Sequence, residues 1–123
     1  MARLRLIGVA SALLAAGVTL SACGTGAAVA DARTSCTFVT KALALQARSE
    51  RPGLSAAEVS SLQAAAMSEL LKGSSAAAAA TSSDGSWNPL MTTIGEAERV
   101  PLSDLVASLT RLCQVANSSS PYL

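Results

Sequence analysis

Residues 102–117 read LSDLVASLTRLCQVAN and carry the broadest apolar face in the chain. Apolar residues recur there at intervals of three and four, the spacing of one helix face: Leu102, Leu105, Val106, Leu109, Leu112, Cys113 and Ala116. Polar residues occupy the opposite side: Ser103, Asp104, Ser108, Arg111 and Gln114. The pattern predicts an amphipathic helix over about 102–117, which needs a neighbouring helix to bury its apolar stripe.

A shorter helix is predicted before it. Asn88 is a good N-cap, and Pro89 suits the first helical position because its missing N–H is not needed there. Gly95 and Pro101 limit its length. The residues expected to face the core are Leu90, Met91 and Ile94.

The segment 74–86 consists of Ser and Ala with one Thr and an Asp-Gly pair. It has no large apolar side chain to bury, so we predict a partly helical, mobile surface loop. Trp87 follows this segment and is the only tryptophan. Beside a helix start we expect it to pack as a lid on the core, and the alternative is an exposed contact for a partner or ligand.

The clearest local signal lies at residues 55–58, which read Ser-Ala-Ala-Glu and form a capping box. Leu54 and Val59 stand at the two positions of a hydrophobic staple. The helix that follows carries an apolar stripe of Val59, Leu62, Ala66, Met67 and Leu70. Gly73 is the predicted C-terminal cap.

The first helix of the domain is predicted over about 34–50, with Asp31 or Thr34 as its cap. The run Arg51-Pro52-Gly53 ends it, because proline cannot continue a helix. Its predicted apolar face consists of Cys36, Phe38, Val39, Ala42, Leu43, Leu45 and Ala47. Residues 118–123 are predicted to be a loose tail.

Composition sets the scale of the protein. The chain has 123 residues, which allows one small domain, and its net charge of +1 does not indicate nucleic-acid binding. Half of the residues are hydrophobic, but 26 residues of the chain are alanine, so the core is expected to be thin. There is no histidine, which removes the commonest general base and metal ligand.

The N-terminal segment has the pattern of an export signal. Arg3 and Arg5 precede an apolar run from Leu6 to Leu20 that is short for a membrane-spanning helix. The next residues complete the sequence Leu20-Ser21-Ala22-Cys23, which resembles the lipobox of bacterial lipoproteins. The resemblance implies a signal peptide over 1–22 and a diacylglycerol on Cys23, which becomes the first mature residue. Residues 23–33 would then be a flexible tether to the extracytoplasmic face of the cell membrane.

A second cleavage position competes with the first. Ala28-Val29-Ala30 also fits an A-x-A site, and cleavage after Ala30 would discard Cys23 and release a soluble secreted protein. The lipobox is favoured because the apolar run ends directly at Leu20.

With either cleavage, Cys36 and Cys113 remain as an even pair in an oxidising compartment. A structural disulfide between them is the favoured prediction over two buried thiols or a redox pair, because no Cys-x-x-Cys spacing exists. The bond would place the first and last helices side by side and antiparallel. The predicted fold is therefore all-α, a small disulfide-stapled bundle of three to four helices over 34–117.

Catalytic motifs are missing from the sequence. Without histidine there is no Ser/His/Asp or Cys/His set, and no phosphate loop or Ser-x-x-Lys is present. Glu96 and Glu98 point to different sides of a helix, so we expect no catalytic residue, metal or cofactor. The expected function is a non-catalytic domain that binds an envelope protein. The alternative is a carrier for an apolar ligand or lipid, in a cleft lined by Trp87, Ile94, Leu105 and Leu109.

Overall fold

The computed structural model describes residues 25–121, and of Thr25 only the backbone. This part of the chain is all-α, as predicted, and contains no strand. The helices are α1 (Thr25–Ser49), α2 (Ala56–Lys72), α3 (Ser74–Ser83), α4 (Asn88–Glu96) and α5 (Leu102–Asn117), with a 3-10 turn at Gly85–Trp87. The predicted signal peptide 1–22, the lipidation residue Cys23 and the last two residues of the predicted tail lie outside the described residues.

Helix α1 is already present at Thr25, nine residues before the predicted start at Thr34. The prediction of a flexible tether is therefore wrong for residues 25–33. Ala28 and Ala32 are fully buried, so these early turns contribute to the core. Thr34 does not cap the helix; its hydroxyl donates to the carbonyl of Ala30 at 3.0 Å, inside the helix.

The end of α1 agrees with the prediction. The helix stops at Ser49, and Gly53 adopts φ +87° in the turn that follows, a conformation that favours glycine. The buried face differs from the predicted one at its C-terminal end. Ala47 is exposed, whereas Gln46 and Ser49 are buried. The prediction is wrong at this end of the helix, because it places the apolar Ala47 on the buried face instead of the polar residues beside it.

The capping box of α2 is confirmed. The Ser55 hydroxyl accepts from the Glu58 N–H at 3.1 Å, and the Glu58 carboxylate accepts from the Ser55 N–H at 2.7 Å. Ala66 and Leu70 of the predicted stripe are buried. The capping box and the apolar stripe together account for the formation of α2.

Gly73 is the C-cap of α2, as predicted, but the reason for glycine is different. Its φ of −78° is open to any residue. A Cβ at this position would lie 3.1 Å from both the carbonyl oxygen and the hydroxyl of Ser35. The Ser35 hydroxyl also donates to the Gly73 carbonyl at 2.9 Å. A side chain at this position would therefore require Ser35 or the α2–α3 junction to shift by a few tenths of an ångström.

The partial helicity predicted for 74–86 extends over residues 74–83, which form α3, so the prediction of a surface loop is wrong for most of the segment. Ala77 and Ala80 are fully buried, and α3 packs against α1 and α4. Ala77 and Ala80 are sufficient to pack this face of α3, because the backbones of the neighbouring helices lie close to it. After α3, the Asp84 carboxylate accepts from the Ser86 N–H at 3.0 Å and caps the 3-10 turn.

Helices α4 and α5 follow the predictions closely. Leu90 and Ile94 of α4 are buried, and Pro89 lies in its first turn. Asn88 is the first helical residue rather than an N-cap, because the 3-10 turn leads directly into the helix. Helix α5 spans the predicted residues, with Leu102, Leu109, Cys113 and Ala116 buried.

Helices α1 and α5 are antiparallel and covalently joined, as predicted. The Cys36 and Cys113 sulfur atoms are bonded, and the two Cα atoms are 5.5 Å apart. Arg33 reinforces this pair, since its guanidinium donates to the carbonyls of Ala116 at 2.7 Å and Ser118 at 3.2 Å. These carbonyls at the end of α5 lack partners within the helix, so the arginine satisfies groups that would otherwise need water.

Candidate functional site

Trp87 is a core residue. Only 1% of it is exposed, and it is the largest of the fully buried side chains. The prediction that Trp87 packs on the core is therefore confirmed, and the alternative contact with a partner or ligand is wrong, because the side chain presents no surface.

The predicted apolar ligand cleft is filled by its own side chains. Trp87, Ile94 and Leu109 are each at most 1% exposed and belong to one hydrophobic cluster, with Leu105 packed against it. A ligand would have to displace these side chains. The arrangement therefore gives no support to a carrier site at this position.

The two carboxylates considered as catalytic candidates, Glu96 and Glu98, form no site together. Glu96 pairs with Arg99 one helical turn away, and Glu98 is exposed. Within residues 25–121 no group of three metal-ligating side chains comes together. In the same part of the chain, no helix has the length and apolar character that a membrane span requires.

The two carboxylates whose pKa values are shifted take part in interactions that stabilise helix α2. Hydrogen bonds from the Ser55 backbone and side chain lower the pKa of Glu58, and a hydrogen bond from Lys72 lowers the pKa of Glu69. Both carboxylates lie on α2 and face solvent. Their perturbation therefore reports local helix capping and pairing rather than a catalytic site.

A cleft of about 240 Å³ lies where α1, α2 and the α4–α5 connection meet, and we name it the Gln46 cleft. Its lining mixes polar and apolar groups: Gln46, Gln63, Met67, Ala97, Val100, Pro101, Leu102 and Ser103. Gln63 and Ser103 are exposed, whereas Gln46 is buried. The cleft is therefore bordered by both exposed and buried polar side chains.

The Gln46 side chain is held in one orientation. Only 5% of the residue is exposed, and its amide nitrogen donates to the Glu50 carboxylate at 3.0 Å. A carboxylate can only accept, so the amide nitrogen must face Glu50 and the amide oxygen must face away. In the described part of the chain no donor reaches this oxygen, yet it is not sealed from solvent.

The start of α5 contributes Pro101, Leu102 and Ser103 to the lining of the same cleft. Its N-cap is Pro101, which makes no side-chain hydrogen bond to the helix. The N–H groups of Leu102 and Ser103 find no acceptor among residues 25–121. The first N–H groups of a helix have no intrahelical partner and carry partial positive charge, so they are available to a bound acceptor.

A second depression, of about 430 Å³, lies along the α1–α5 surface beside the disulfide. Its lining residues are Thr40, Leu43, Thr110, Cys113, Gln114 and Asn117. Most of these residues are exposed, and it contains no buried polar group with a free hydrogen-bonding atom. The Gln46 cleft is therefore the stronger candidate site within the described residues.

The sequence alone did not single out Gln46. A glutamine in a helix is ordinarily exposed to solvent. Gln46 and Ser49 are three residues apart, so they lie on the same side of α1, and both are buried at the polar edge of its packed face. The cleft itself depends on the α4–α5 connection, which is distant from α1 in sequence. Comparison of the chain with protein-family models, curated proteins and solved structures finds no match.

Proposed function

We propose that this chain is an extracytoplasmic lipoprotein, anchored in the membrane by lipid on Cys23, whose helical domain binds another protein without catalysing a reaction. The export pattern and the lipobox resemblance of residues 20–23 are the basis for the anchor. The absence of histidine and of catalytic motifs in the sequence is the basis for a non-catalytic role.

The burial of Ala28 and Val29 is the observation that carries the choice of anchor. Ala28 is fully buried and Val29 is 8% exposed, so the A-x-A site at 28–30 lies within the packed part of α1. Cleavage after Ala30 would remove core residues from the mature domain. Cleavage before Cys23 retains the whole of α1, which favours the lipoprotein over the secreted form.

The position of α1 also determines how close to the membrane the domain would be held. Only Gly24 separates Cys23 from Thr25, where the described part of α1 begins. Two residue steps span at most about 7 Å, so an acylated Cys23 would hold the domain directly at the bilayer surface. A diacyl anchor is stable where one acyl chain gives marginal binding.

The intact mass of the protein extracted from bacterial membranes tests the anchor. We expect a mature chain that starts at Cys23 and carries the added mass of the lipid. Cys23→Ser should abolish both the modification and the recovery in the membrane fraction. Ala30→Leu is the matched control, because it blocks only the competing site at an exposed position and should change neither result. A mature chain that starts at Asp31 in the unsubstituted protein would refute the anchor.

A further inference from the structure

We propose that the outer face of α1 rests on a bilayer that contains anionic phospholipid, so that α1 lies along the membrane surface. This inference rests on the proposed lipid anchor on Cys23 and adds the orientation in which the anchored domain is held. Its basis is a row of exposed residues on the side of α1 away from the core, three of them basic. We name this row the basic face, and its residues are Arg33, Thr37, Lys41, Ala44 and Arg48.

The basic face follows from helical spacing. Its five residues are separated by three or four positions, so they lie on one side of α1, and all of them are exposed. The core residues Cys36, Val39 and Ala42 lie on the other side of the helix. At about 1.5 Å per residue, the row from Arg33 to Arg48 is about 22 Å long. Three charges along a straight helix can therefore meet a flat surface at the same time.

The charge of the basic face differs from that of the rest of the domain. Arg3 and Arg5 lie in the predicted signal peptide, and the chain from Cys23 onward contains seven basic and eight acidic residues. None of the acidic residues lies on the basic face, because Asp31 and Glu50, the two nearest in sequence, fall outside it at helical spacing. The domain as a whole has no excess of positive charge, so attraction to an anionic surface is confined to this side.

The neighbouring helices do not cancel these charges. On the α5 side, the residues that line the depression between α1 and α5 are all uncharged. On the α2 side, Glu69 lies near enough to Lys41 for the two charges to interact, but it forms an ion pair with Lys72 at 2.7 Å. A paired carboxylate and ammonium add no net charge, so the basic face keeps its three positive charges.

Two of the three basic side chains are held in place before they meet a membrane. The Arg33 guanidinium donates to the carbonyls of Ala116 and Ser118, and its remaining N–H groups are left for phosphate oxygens. The Lys41 ammonium lies 5.8 Å from the centroid of the Phe38 ring. Both basic residues remain exposed, so their charges are positioned without being buried. Ordered groups lose little entropy on binding.

A lipid surface fits the basic face better than an acidic protein does. The residues between the basic ones, Thr37 and Ala44, are small. Protein interfaces depend on a few large side chains that become buried at their centre, whereas attraction to an anionic membrane needs only basic residues near the surface. The lack of large apolar side chains also keeps α1 on the headgroups, because an amphipathic helix enters the acyl region through its apolar residues.

The anchor brings the basic face within range of the membrane. The two residue steps from Cys23 to Thr25 span at most about 7 Å, which is within the Debye length of about 8 Å at physiological ionic strength. Tethering gives the face a high effective concentration at the surface, so weak contacts are sufficient. Helix α4 packs mainly on α3 and α5. It therefore faces away from the membrane and is left for the protein partner.

Paramagnetic relaxation enhancement in NMR tests this orientation. The full acylated protein is incorporated into nanodiscs in which some lipid headgroups carry a gadolinium chelate. One sample contains phosphatidylcholine alone, and the other contains an equal mixture of phosphatidylcholine and phosphatidylglycerol. In the anionic nanodiscs we expect stronger enhancement at the N–H groups of Thr37 and Ala44 than at Thr92, which is exposed on α4. This selectivity should be lost in the neutral nanodiscs.

Removal of two charges from the basic face provides the second test. In Lys41→Gln/Arg48→Gln, the equilibrium between the bound and the free face should fall about 25-fold, at about fivefold for each basic residue. The selective enhancement should then disappear. Arg99→Gln/Arg111→Gln is the matched control, because it removes two exposed charges from other parts of the surface and should change nothing. Selectivity that persists in neutral nanodiscs or in Lys41→Gln/Arg48→Gln would overturn the proposal.

The same samples separate this inference from the proposed anchor. Protein that is absent from both kinds of nanodisc overturns the anchor and the orientation together. Acylated protein in both kinds, with equal enhancement at Thr37, Ala44 and Thr92, overturns the orientation while the anchor stands. Equal enhancement is also the result expected if the basic face binds an acidic protein instead of lipid.

Discussion

Helices α2 and α3 both pack along α1 and are separated only by Gly73, yet they are stabilised differently. Helix α2 has a capping box and buries Leu70, one of the largest core side chains. Helix α3 has no side-chain N-cap and buries only Ala77 and Ala80. Helix α2 is specified by its own sequence, whereas α3 depends on the surface against which it packs.

The difference shows that close approach can substitute for side-chain volume. The backbone at Gly73 comes so near Ser35 that a Cβ would meet its oxygen atoms at 3.1 Å. Dispersion contacts fall steeply with distance, so small residues gain from a neighbour that lies close. Alanine also has the highest helix propensity, which favours α3 once its face is buried. The following predictions test this comparison, from the largest expected effect to the smallest.

Loss of the disulfide should have the largest effect. Cys36 and Cys113 are 77 residues apart, and the chain-entropy model gives about 4.5 kcal/mol for such a loop. We expect the double variant Cys36→Ala/Cys113→Ala to lower the free energy of unfolding by up to that amount, as measured by urea denaturation. Hydrogen exchange should show that α3 loses protection before α2. Equal loss in both helices would contradict the idea that only α3 depends on its surroundings.

Leu70→Ala should have the next largest effect, because it leaves a cavity under α2. Removal of a fully buried leucine costs about 2–5 kcal/mol, and Leu70 is 0% exposed. Leu71→Ala is the matched control, since the neighbouring leucine is 41% exposed and should lose far less. Urea denaturation of the two variants measures the difference, and similar losses would mean that α2 does not bury its stripe.

Ala80→Leu should destabilise α3 by overpacking. Extra methyl and methylene groups in a well-packed core cost about 1–3 kcal/mol, and Ala80 is fully buried. Ala79→Leu places the same side chain on the exposed face and should change stability by less than about 0.5 kcal/mol. Thermal denaturation of both variants provides the measurement. If both are neutral, α3 is a surface segment without a packed face.

Ser55→Ala should cost about 1 kcal/mol, the usual effect of losing an N-cap side chain. The variant removes the acceptor for the Glu58 N–H. Ser75→Ala in the first turn of α3 is the control, because no side-chain cap exists there and Ser75 is exposed. The free energy of unfolding should distinguish the two, and a larger loss at Ser75 would reverse the comparison between the helices.

The smallest expected effect is a pH dependence of α2. Hydrogen bonds from Ser55 lower the folded-state pKa of Glu58, so the carboxylate stabilises the fold above its ordinary pKa. This contribution is lost as the pH falls through the lowered value. We therefore expect the difference in unfolding free energy between wild type and Glu58→Gln to shrink between pH 6 and about pH 3. A difference that stays constant with pH would show that the charge contributes nothing.

Most of the helical architecture could be predicted from local patterns. The α5 stripe, the capping box at 55–58 and the Pro52-Gly53 break are signals within a few residues, and each is found where expected. The early turns of α1 and the full length and burial of α3 could not be predicted, because alanine and serine residues form no pattern that marks a buried face. The Gln46 cleft could not be predicted either, since it joins residues from three parts of the chain.

The sequence by itself therefore determined the all-α class, the pairing of Cys36 with Cys113 and the bounds of α5, because helix periodicity, capping and cysteine count are local or compositional properties. Only the tertiary structure decided that residues 25–33 and 74–83 are helical and contribute to the core, and that Gln46 lines a cleft. The physical reason is the same in each case. Small and polar side chains adopt whichever environment their neighbours provide, and those neighbours are distant in the chain.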